Sequence, residues 1–199
     1  MMNLQELSDQ TLFEQFVAGD SKSFELLIER HRNRLFSYIY YMVKNRHKAE
    51  DIFQETCLKA ITTMLDGRYS ELGRFLPWMT RIAHNLIVDL FRQEKQLMVC
   101  STDSFSSPVL NSTKYSENTI EDHLVQDQIY TDVRNLLDHL PDEQKEIILL
   151  RHYGDLSFKE IADYTGVSIN TALGRMRYAL INLRRLIKEK GIQITVSGK

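Results

Sequence analysis

The fold is decided by residues 156–186, which run LSFKEIADYTGVSINTALGRMRYALINLRRL. Two short helical patterns flank a break at Thr165, Gly166 and Val167. Ser157 and Glu160 have the spacing of a capping box, and Ser168 can cap the second helix. Gly166 suits the left-handed conformation that a tight turn between helices requires. The stretch therefore predicts a helix-turn-helix, the element that places its second helix in a DNA groove.

The second helix of this pair concentrates positive charge. Residues 168–190 carry six Lys or Arg and one acid, a net charge of +5, whereas the whole chain has a net charge of −2. Clustered positive charge on one helix favours contact with phosphates, although a solvated basic face on an ordinary bundle would look the same. We expect the opposite face to be buried through Leu173, Met176, Leu180, Leu183 and Ile187, which recur at helical spacing.

Composition points to an all-α fold without a metal or cofactor. The 199 residues include only 3 Pro and 8 Gly, and the hydrophobic content of 43% is enough for one or two packed cores. The two cysteines, Cys57 and Cys100, form no ligand pattern with histidines. The first residues, MMNLQELSDQ, lack the basic start and apolar core of a secretory signal, and no apolar run is long enough to span a membrane. We therefore expect a cytoplasmic protein.

An acidic helix face is predicted in the N-terminal half. Asn45 can cap a helix that contains the segment 47–64, HKAEDIFQETCLKAITTM. Its residues Asp51, Gln54, Glu55 and Leu58 fall at i, i+3, i+4 and i+7 and share one face. Such a face can bind a basic groove on a partner, but a solvated face is the commoner case. A catalytic carboxylate pair is not favoured, because no nucleophile or set of metal ligands lies nearby.

The next helix combines aromatic, amide and guanidinium groups on one stripe. Residues 74–95 run RFLPWMTRIAHNLIVDLFRQEK. The stripe consists of Trp78, Arg81, Asn85, Asp89 and Arg92. Such groups can stack on unpaired bases and hydrogen-bond to them, whereas a single tryptophan more often belongs to a core. We interpret His84 as an ordinary surface or boundary histidine, since no second ligand lies at metal spacing.

Helical periodicity stops at residue 96 and returns at about residue 121. The intervening residues are rich in Ser, Thr and Asn, and residues 99–128 carry five acids against one Lys. The sequence thus predicts an N-terminal helical domain over 1–95, a flexible acidic linker over 96–121, and a C-terminal domain over 122–199 that contains the helix-turn-helix. The fold class is all-α, with two helical domains.

The order of these parts resembles a bacterial RNA polymerase sigma factor of the extracytoplasmic-function (ECF) group. The segment 49–60, AEDIFQETCLKA, resembles the helix of that family that binds the polymerase clamp. The segment 75–95 resembles its promoter-melting helix, and 140–185 resembles its C-terminal DNA-binding domain. The resemblance spans nearly the whole chain, from about residue 12 to residue 187.

The resemblance implies a factor that directs core RNA polymerase to promoters and makes no covalent bond itself. Core binding would fall on Asp51, Gln54, Glu55 and Leu58. The −10 element would meet Trp78, Arg81, Asn85, Asp89, Arg92 and the 66–73 loop, and the −35 element would meet Ser168, Asn170, Thr171 and Arg175, with Arg177 on phosphate. Core RNA polymerase and promoter DNA are the implied partners, and an anti-sigma factor is expected by family analogy.

Two other classes of protein are compatible with parts of the sequence. A stand-alone helix-turn-helix regulator would bind a palindrome as a dimer, but it needs neither the acidic face nor the aromatic and polar stripe. An enzyme acting on nucleic acid would need clustered carboxylates or a nucleophile beside a base, and the sequence offers neither.

Overall fold

The structure, a computed structural model, describes residues 7–69, 73–100 and 135–191. Within these ranges the regular elements are all helices. They are α1 (Asp9–Val17), α2 (Ser21–Val43), α3 (Arg46–Leu65), α4 (Phe75–Cys100), α5 (Asp142–His152), α6 (Phe158–Thr165) and α7 (Ile169–Glu189). The all-α fold class is confirmed. The helix was predicted to stop at residue 96, but residues 96–100 still belong to α4. The rest of the predicted linker, and the predicted return of helix near residue 121, lie outside the described residues.

Helices α1 to α4 pack around one core in the N-terminal half. Side-chain caps begin the first three helices, from Ser8, Asp20 and Asn45 respectively. Helix α2 lies in the middle and contacts α1, α3 and α4. Its Leu27 and Leu35 are fully buried together with other apolar side chains of this half, among them Ile39, Met79 and Ile87. This burial supplies the main stabilisation of the half.

The predicted helix-turn-helix forms in the C-terminal half. Helices α5, α6 and α7 pack on one another. The capping box at the start of α6 is present in both directions between Ser157 and Glu160. Gly166 ends α6 in the left-handed conformation (φ 68°), and Ser168 accepts a hydrogen bond from the Thr171 amide to begin α7. These predictions from the sequence are confirmed.

The buried face of α7 differs from the expected one. Leu173 and Leu180 are 45% and 43% exposed, whereas Ala172, Ala179 and Leu186 are buried. The sequence pattern predicted that leucines would form the buried face of α7. Small side chains let α7 approach α5 and α6 closely, and the alanines therefore take the inward positions. The expected stripe is wrong at these two leucines.

The two halves also touch each other. Helix α2 contacts α5, and Arg34 donates a hydrogen bond from Nη2 to the carbonyl oxygen of His152 at 2.8 Å. Lys44 Nζ lies 2.9 Å from Asp138 Oδ1. The rings of Tyr41 and Tyr153 are 5.4 Å apart. Contacts over such sequence separations place the C-terminal helices against α2 and α4.

His84 lies in this contact region and is more deeply buried than the predicted surface or boundary histidine. Only 6% of the residue is exposed. The Tyr38 hydroxyl lies 2.6 Å from Nδ1 of His84, and Glu146 Oε1 lies 3.8 Å from its Nε2. The Tyr164 ring contacts the imidazole edge-on. Local periodicity cannot reveal this burial, because Tyr164 and Glu146 cover His84 from the other half of the chain.

The protonation states around His84 follow from burial. Desolvation lowers the pKa of His84 to about 4, so the imidazole is neutral near pH 7. Burial also raises the pKa of Tyr38 well above its usual value, so its hydroxyl stays protonated and shares a hydrogen bond with Nδ1. The approach of Glu146 is therefore not an ion pair at neutral pH.

No helix within the described residues has both the length and the apolar character needed to cross a membrane.

Neutral burial of His84 predicts a loss of stability in mild acid. The pKa is about 4 in the folded chain and about 6.5 in the unfolded chain, so below pH 6.5 the unfolded state binds the proton first. Stability therefore falls as pH falls from about 6.5 toward 4, and at about pH 5.5 the loss from this group is about 1.4 kcal/mol. Urea unfolding at several pH values measures it.

His84→Gln is the comparison variant, because glutamine is polar and does not titrate. The free energy of unfolding of the wild type should drop more steeply between pH 7.5 and 5.5 than that of the variant. Parallel curves for the two proteins would contradict a neutral, buried His84.

Candidate nucleic-acid interface

The α3 acidic face, formed by Asp51, Gln54, Glu55 and Leu58, is exposed as expected. Leu58 is 61% exposed, which is high for a leucine in the middle of a helix. The carboxylate of Glu55 lies 3.6 Å from Lys59 Nζ one turn away, a solvated pair of small energetic weight. The structure thus presents one apolar side chain within a polar, acidic surface, a composition suited to a basic partner.

The α4 polar stripe, formed by Trp78, Arg81, Asn85, Asp89 and Arg92, begins in an aromatic cluster. Trp78 is half-buried, and its ring stacks on Tyr69 with centroids 3.9 Å apart and planes at 26°. Phe75 adds a tilted contact at 5.9 Å. One face of the indole is therefore occupied by Tyr69, a residue of the 66–73 loop. Farther along the stripe, Asp89 and Arg92 are exposed and lie 3.6 Å apart.

Helix α6 contacts the central residues of the stripe. Glu160 Oε1 accepts a hydrogen bond from Arg81 Nη2 at 2.9 Å, and its other oxygen pairs with Arg74. The Tyr164 hydroxyl lies 2.7 Å from the carbonyl oxygen of Arg81 and 2.8 Å from Asn85 Oδ1, two acceptors for its single proton. Sequence reasoning assigned Glu160 a capping role alone and missed Tyr164.

Glu160 remains ionised in this position. Burial acts to raise the pKa of its carboxyl group, but hydrogen bonds from Ser157 and the charge of Arg74 outweigh it, so the pKa lies below the usual value. Desolvation raises the pKa of Tyr164 to about 12 despite the nearby charge of Arg81. The contact thus pairs a carboxylate with two guanidinium groups and places a protonated hydroxyl on the stripe.

A groove of about 590 Å³ joins the α3 acidic face to the α4 polar stripe. Glu55 and Leu58 line it from the first surface, and Asn85 lines it from the second. The other lining residues are Lys59, Thr62, Thr63, Arg68 and Ile82. Hydroxyl, amide and guanidinium groups around this space can hydrogen-bond to the edge of a base or to a phosphate. Arg68 belongs to the 66–73 loop that was predicted to meet the −10 element, but the sequence pattern did not reveal the other four, because the groove forms only where α3, α4 and the loop meet.

The α7 polar face is formed by Ser168, Asn170, Thr171, Arg175 and Arg177. It lies at the start of the second helix of the helix-turn-helix. All of these residues are exposed except Arg175, which is half-buried. The positive charge of Arg175 acts on Glu146, whose pKa is raised by burial and partly restored by that charge. The Ser168 hydroxyl caps the helix and is 2.9 Å from Thr171 Oγ1. The free amides and cations at this helix end favour an anion such as phosphate.

Comparisons with known proteins agree on one family. The model of Sigma-70 region 2 matches residues 27–96, and that of Sigma-70 region 4 matches residues 130–178. The RNA polymerase sigma factor SigV of Bacillus subtilis (strain 168) is 31% identical over 81% of this chain and 90% of its own length. The RNA polymerase sigma factor CarQ of Myxococcus xanthus is 29% identical over 91% of this chain and 98% of its own length.

Solved structures share the fold. The sigma factor RpoE from Bartonella quintana, in a co-crystal with the anti-sigma factor NepR, has a TM-score of 0.60 at 21% identity over 84% of this chain and 98% of its own. CnrH, in complex with the cytosolic domain of CnrY, has a TM-score of 0.58 at 22% identity over 91% of this chain and 97% of its own. The region 2 match spans most of α2, all of α3 and most of α4, and the region 4 match spans α5, α6 and the first half of α7. The chain therefore belongs to the ECF group of RNA polymerase sigma factors, which bind core polymerase and direct promoter recognition and melting in transcription initiation.

Proposed function

We propose that this sigma factor divides its work among the three surfaces described above. The α3 acidic face binds the polymerase clamp, the α4 polar stripe holds unpaired −10 DNA, and the α7 polar face reads the −35 element. The observation that carries the proposal is the groove between α3 and α4, where Arg68 and Asn85 face a space of about 590 Å³. The domains run over 1–95 and 122–199, and the linker runs over 96–121.

The proposed role of the groove is to bind unpaired bases. Removing a base from the duplex costs a few kcal/mol, so melting requires a site that binds the exposed base. The amide of Asn85 and the guanidinium of Arg68 can hydrogen-bond to a base edge or its phosphate, and the half-buried Trp78 offers an aromatic surface for stacking. The exposed Arg92 continues the stripe toward the DNA backbone.

Reading of the −35 element falls to the N-terminal turns of α7. Asn170 and Thr171 are exposed at the start of the helix, where a recognition helix contacts base edges. Arg177 is exposed and suits a phosphate. Binding by this small half alone is weak, and attachment of both halves to one polymerase raises the effective concentration of the second contact.

The factor itself catalyses no reaction, and the polymerase performs the chemistry. It acts in the cytoplasm, where core polymerase and promoter DNA are found. An anti-sigma factor controls it; this part of the proposal is supported by the solved structure of RpoE, which is bound to the anti-sigma factor NepR.

Run-off transcription tests the function as a whole. Purified bacterial core polymerase is incubated with DNA from upstream of this protein's own gene, with and without the protein. We expect transcripts that start at one position only when the protein is present. Absence of transcripts, together with failure to co-elute with core polymerase, would favour a stand-alone regulator.

Arg81→Ala combined with Asn85→Ala tests the α4 polar stripe in the same assay. Loss of a guanidinium and an amide that hold the melted strand should reduce transcripts by tenfold or more, which corresponds to about 1.4 kcal/mol or more. The variant should still co-elute with core polymerase, because the α3 acidic face is intact. Wild-type transcript levels would refute the −10 assignment.

Asp51→Arg combined with Glu55→Arg tests the α3 acidic face. Both carboxylates are exposed, so the fold should persist, while the reversed charge should abolish binding to core polymerase. A pull-down with core polymerase measures this, and circular dichroism checks the helices. Glu14→Arg combined with Glu25→Arg makes the same change of charge on exposed residues of α1 and α2 and should bind normally. Equal binding by both double variants would exclude the clamp contact.

Arg175→Ala tests the α7 polar face. We expect the variant to bind the −35 duplex of the promoter found by run-off transcription with a free energy weaker by about 1–3 kcal/mol, because a base contact is lost. The loss of binding free energy on unrelated DNA should be much smaller. Arg177→Ala is the matched control and should weaken both duplexes alike, as loss of a phosphate contact does. Binding is measured by fluorescence anisotropy. If the Arg175→Ala variant loses the same binding free energy on both duplexes, Arg175 is a phosphate contact.

A further inference from the structure

An aromatic cluster joins α1 to the 66–73 loop and to the start of α4. This cluster, the Tyr69 stack, consists of Phe13, Tyr69, Phe75 and Trp78. The Phe13 ring meets the Tyr69 ring edge-on, with centroids 5.3 Å apart and planes at 86°. Trp78 stacks on Tyr69 with centroids 3.9 Å apart, and Phe75 makes an edge contact with it at 6.3 Å. Only 9% of Tyr69 is exposed, so rings from α1 and α4 together hold this residue of the loop.

The Tyr69 stack bears on Arg68, which lines the groove between α3 and α4. Arg68 directly precedes Tyr69 in the chain, and its amide donates a hydrogen bond to the carbonyl oxygen of Thr63 at 3.1 Å. The backbone at Arg68 is therefore anchored to the end of α3 on one side and to the buried Tyr69 on the other. Because the Arg68 side chain is exposed, this anchored backbone decides where the guanidinium can reach.

Helix α1 gives Phe13 a fixed position, because α1 is tied to α2 near both of its ends. In the first turn, the Asp9 carboxylate lies 2.7 Å from Nε2 of His31. In the last turn, the ring of Phe16 packs on Phe24 with centroids 4.9 Å apart. Phe13 lies between these two contacts and meets Tyr69 from a helix that cannot easily shift.

The stack also sets the orientation of Trp78, the aromatic member of the α4 polar stripe. Tyr69 covers one face of the indole, with the two ring planes at 26°. An unpaired base can therefore stack only on the part of the indole that Tyr69 leaves open. The groups proposed to hold −10 DNA at this end of the stripe, Arg68 and Trp78, thus both depend on where Tyr69 lies.

We propose that Phe13 is a positioning residue for −10 recognition, which acts through the Tyr69 ring to hold Arg68 and Trp78 in the orientation that distinguishes one unpaired base from another. The inference rests on the proposed role of the groove and the α4 polar stripe. A donor that is held in place rejects a base that does not match it, whereas a loosely held donor can move to accept the wrong base. Phe13 does not line the groove, so its effect reaches DNA through Tyr69.

Phe13→Leu in the full-length chain tests the positioning role. Leucine keeps an apolar side chain but lacks the ring that meets Tyr69 edge-on. Phe16→Leu is the matched control, since it makes the same change one turn farther along α1, where the ring packs on Phe24. Both variants should weaken the packing of α1, but only Phe13→Leu should loosen Tyr69. Circular dichroism with thermal unfolding checks that both proteins fold.

Base discrimination is measured by run-off transcription with core polymerase. The templates are the promoter found above and fragments in which one base of its −10 or −35 element is replaced at a time. We expect Phe13→Leu to reduce the discrimination at a −10 position by about threefold or more, where a wrong base typically costs about tenfold. Discrimination within the −35 element should stay unchanged, and Phe16→Leu should keep the wild-type ratios in both elements.

Two variants of Tyr69 provide the second comparison. Tyr69→Leu removes the central ring of the stack and should lower discrimination at the same −10 position as Phe13→Leu. Tyr69→Phe keeps the ring on Phe13 and Trp78 and should restore most of the wild-type discrimination. If Tyr69→Phe is as poor as Tyr69→Leu, the ring contacts do not position the site and the proposal is overturned.

Three results with Phe13→Leu would also overturn the proposal. Wild-type ratios at every −10 position would show that Phe13 has no part in recognition. An equal loss with Phe16→Leu would assign the effect to general loosening of α1. A uniform rise in transcripts without a change in the ratios would mean that Tyr69 only covers the indole that the base needs.

The Arg81→Ala, Asn85→Ala variant separates failure of this inference from failure of the proposed function. Loss of transcripts in that variant, together with wild-type ratios for Phe13→Leu, would retain the −10 assignment and reject the positioning role alone. Wild-type transcript levels from that variant would reject the −10 assignment itself, whatever the variants of Phe13 and Tyr69 do.

Discussion

The Glu160 carboxylate is the constraint on which the arrangement of this molecule depends. It completes the capping box of α6 with Ser157, and it also pairs with Arg74 and Arg81 on the other half of the chain. A local helix signal and a long-range ion pair therefore share one side chain. Because hydrogen bonds from Ser157 hold the carboxylate, its position against α4 follows directly from the way in which α6 begins.

The two kinds of contact in the molecule differ in character. Within each half, apolar side chains are fully buried, as with Leu27 in α2 and Leu149 in α5. Between the halves, ion pairs are combined with ring contacts such as Tyr41 on Tyr153 and Tyr164 on His84, and Thr80 leaves a buried hydroxyl without a partner in the described structure. Apolar burial supplies most of the folding free energy of each half, whereas exposed ion pairs contribute little to stability and readily exchange partners. This difference is what a sigma factor requires if its halves are to bind separate promoter elements.

The sequence predicted the local structure with few errors. The capping signals at Ser157 and Ser168, the left-handed Gly166 and the acidic face on α3 all appear in the structure, because each depends on residues within one or two turns. The error in α7 arose where large side chains were preferred for the core. Ala172 and Ala179 are buried instead, since packing distance between helices rather than hydrophobicity alone decided which face turned inward.

The sequence by itself determined the helices, their caps, the concentration of positive charge on α7 and the composition of each candidate surface. Only the tertiary structure decided which of these surfaces meet. It joined α3 to α4 in a groove with Arg68, buried His84 under Tyr164, and placed Glu160 on Arg81. The physical reason is range: caps and periodicity are set by neighbours along the chain, whereas these contacts join residues that are between 13 and 80 positions apart.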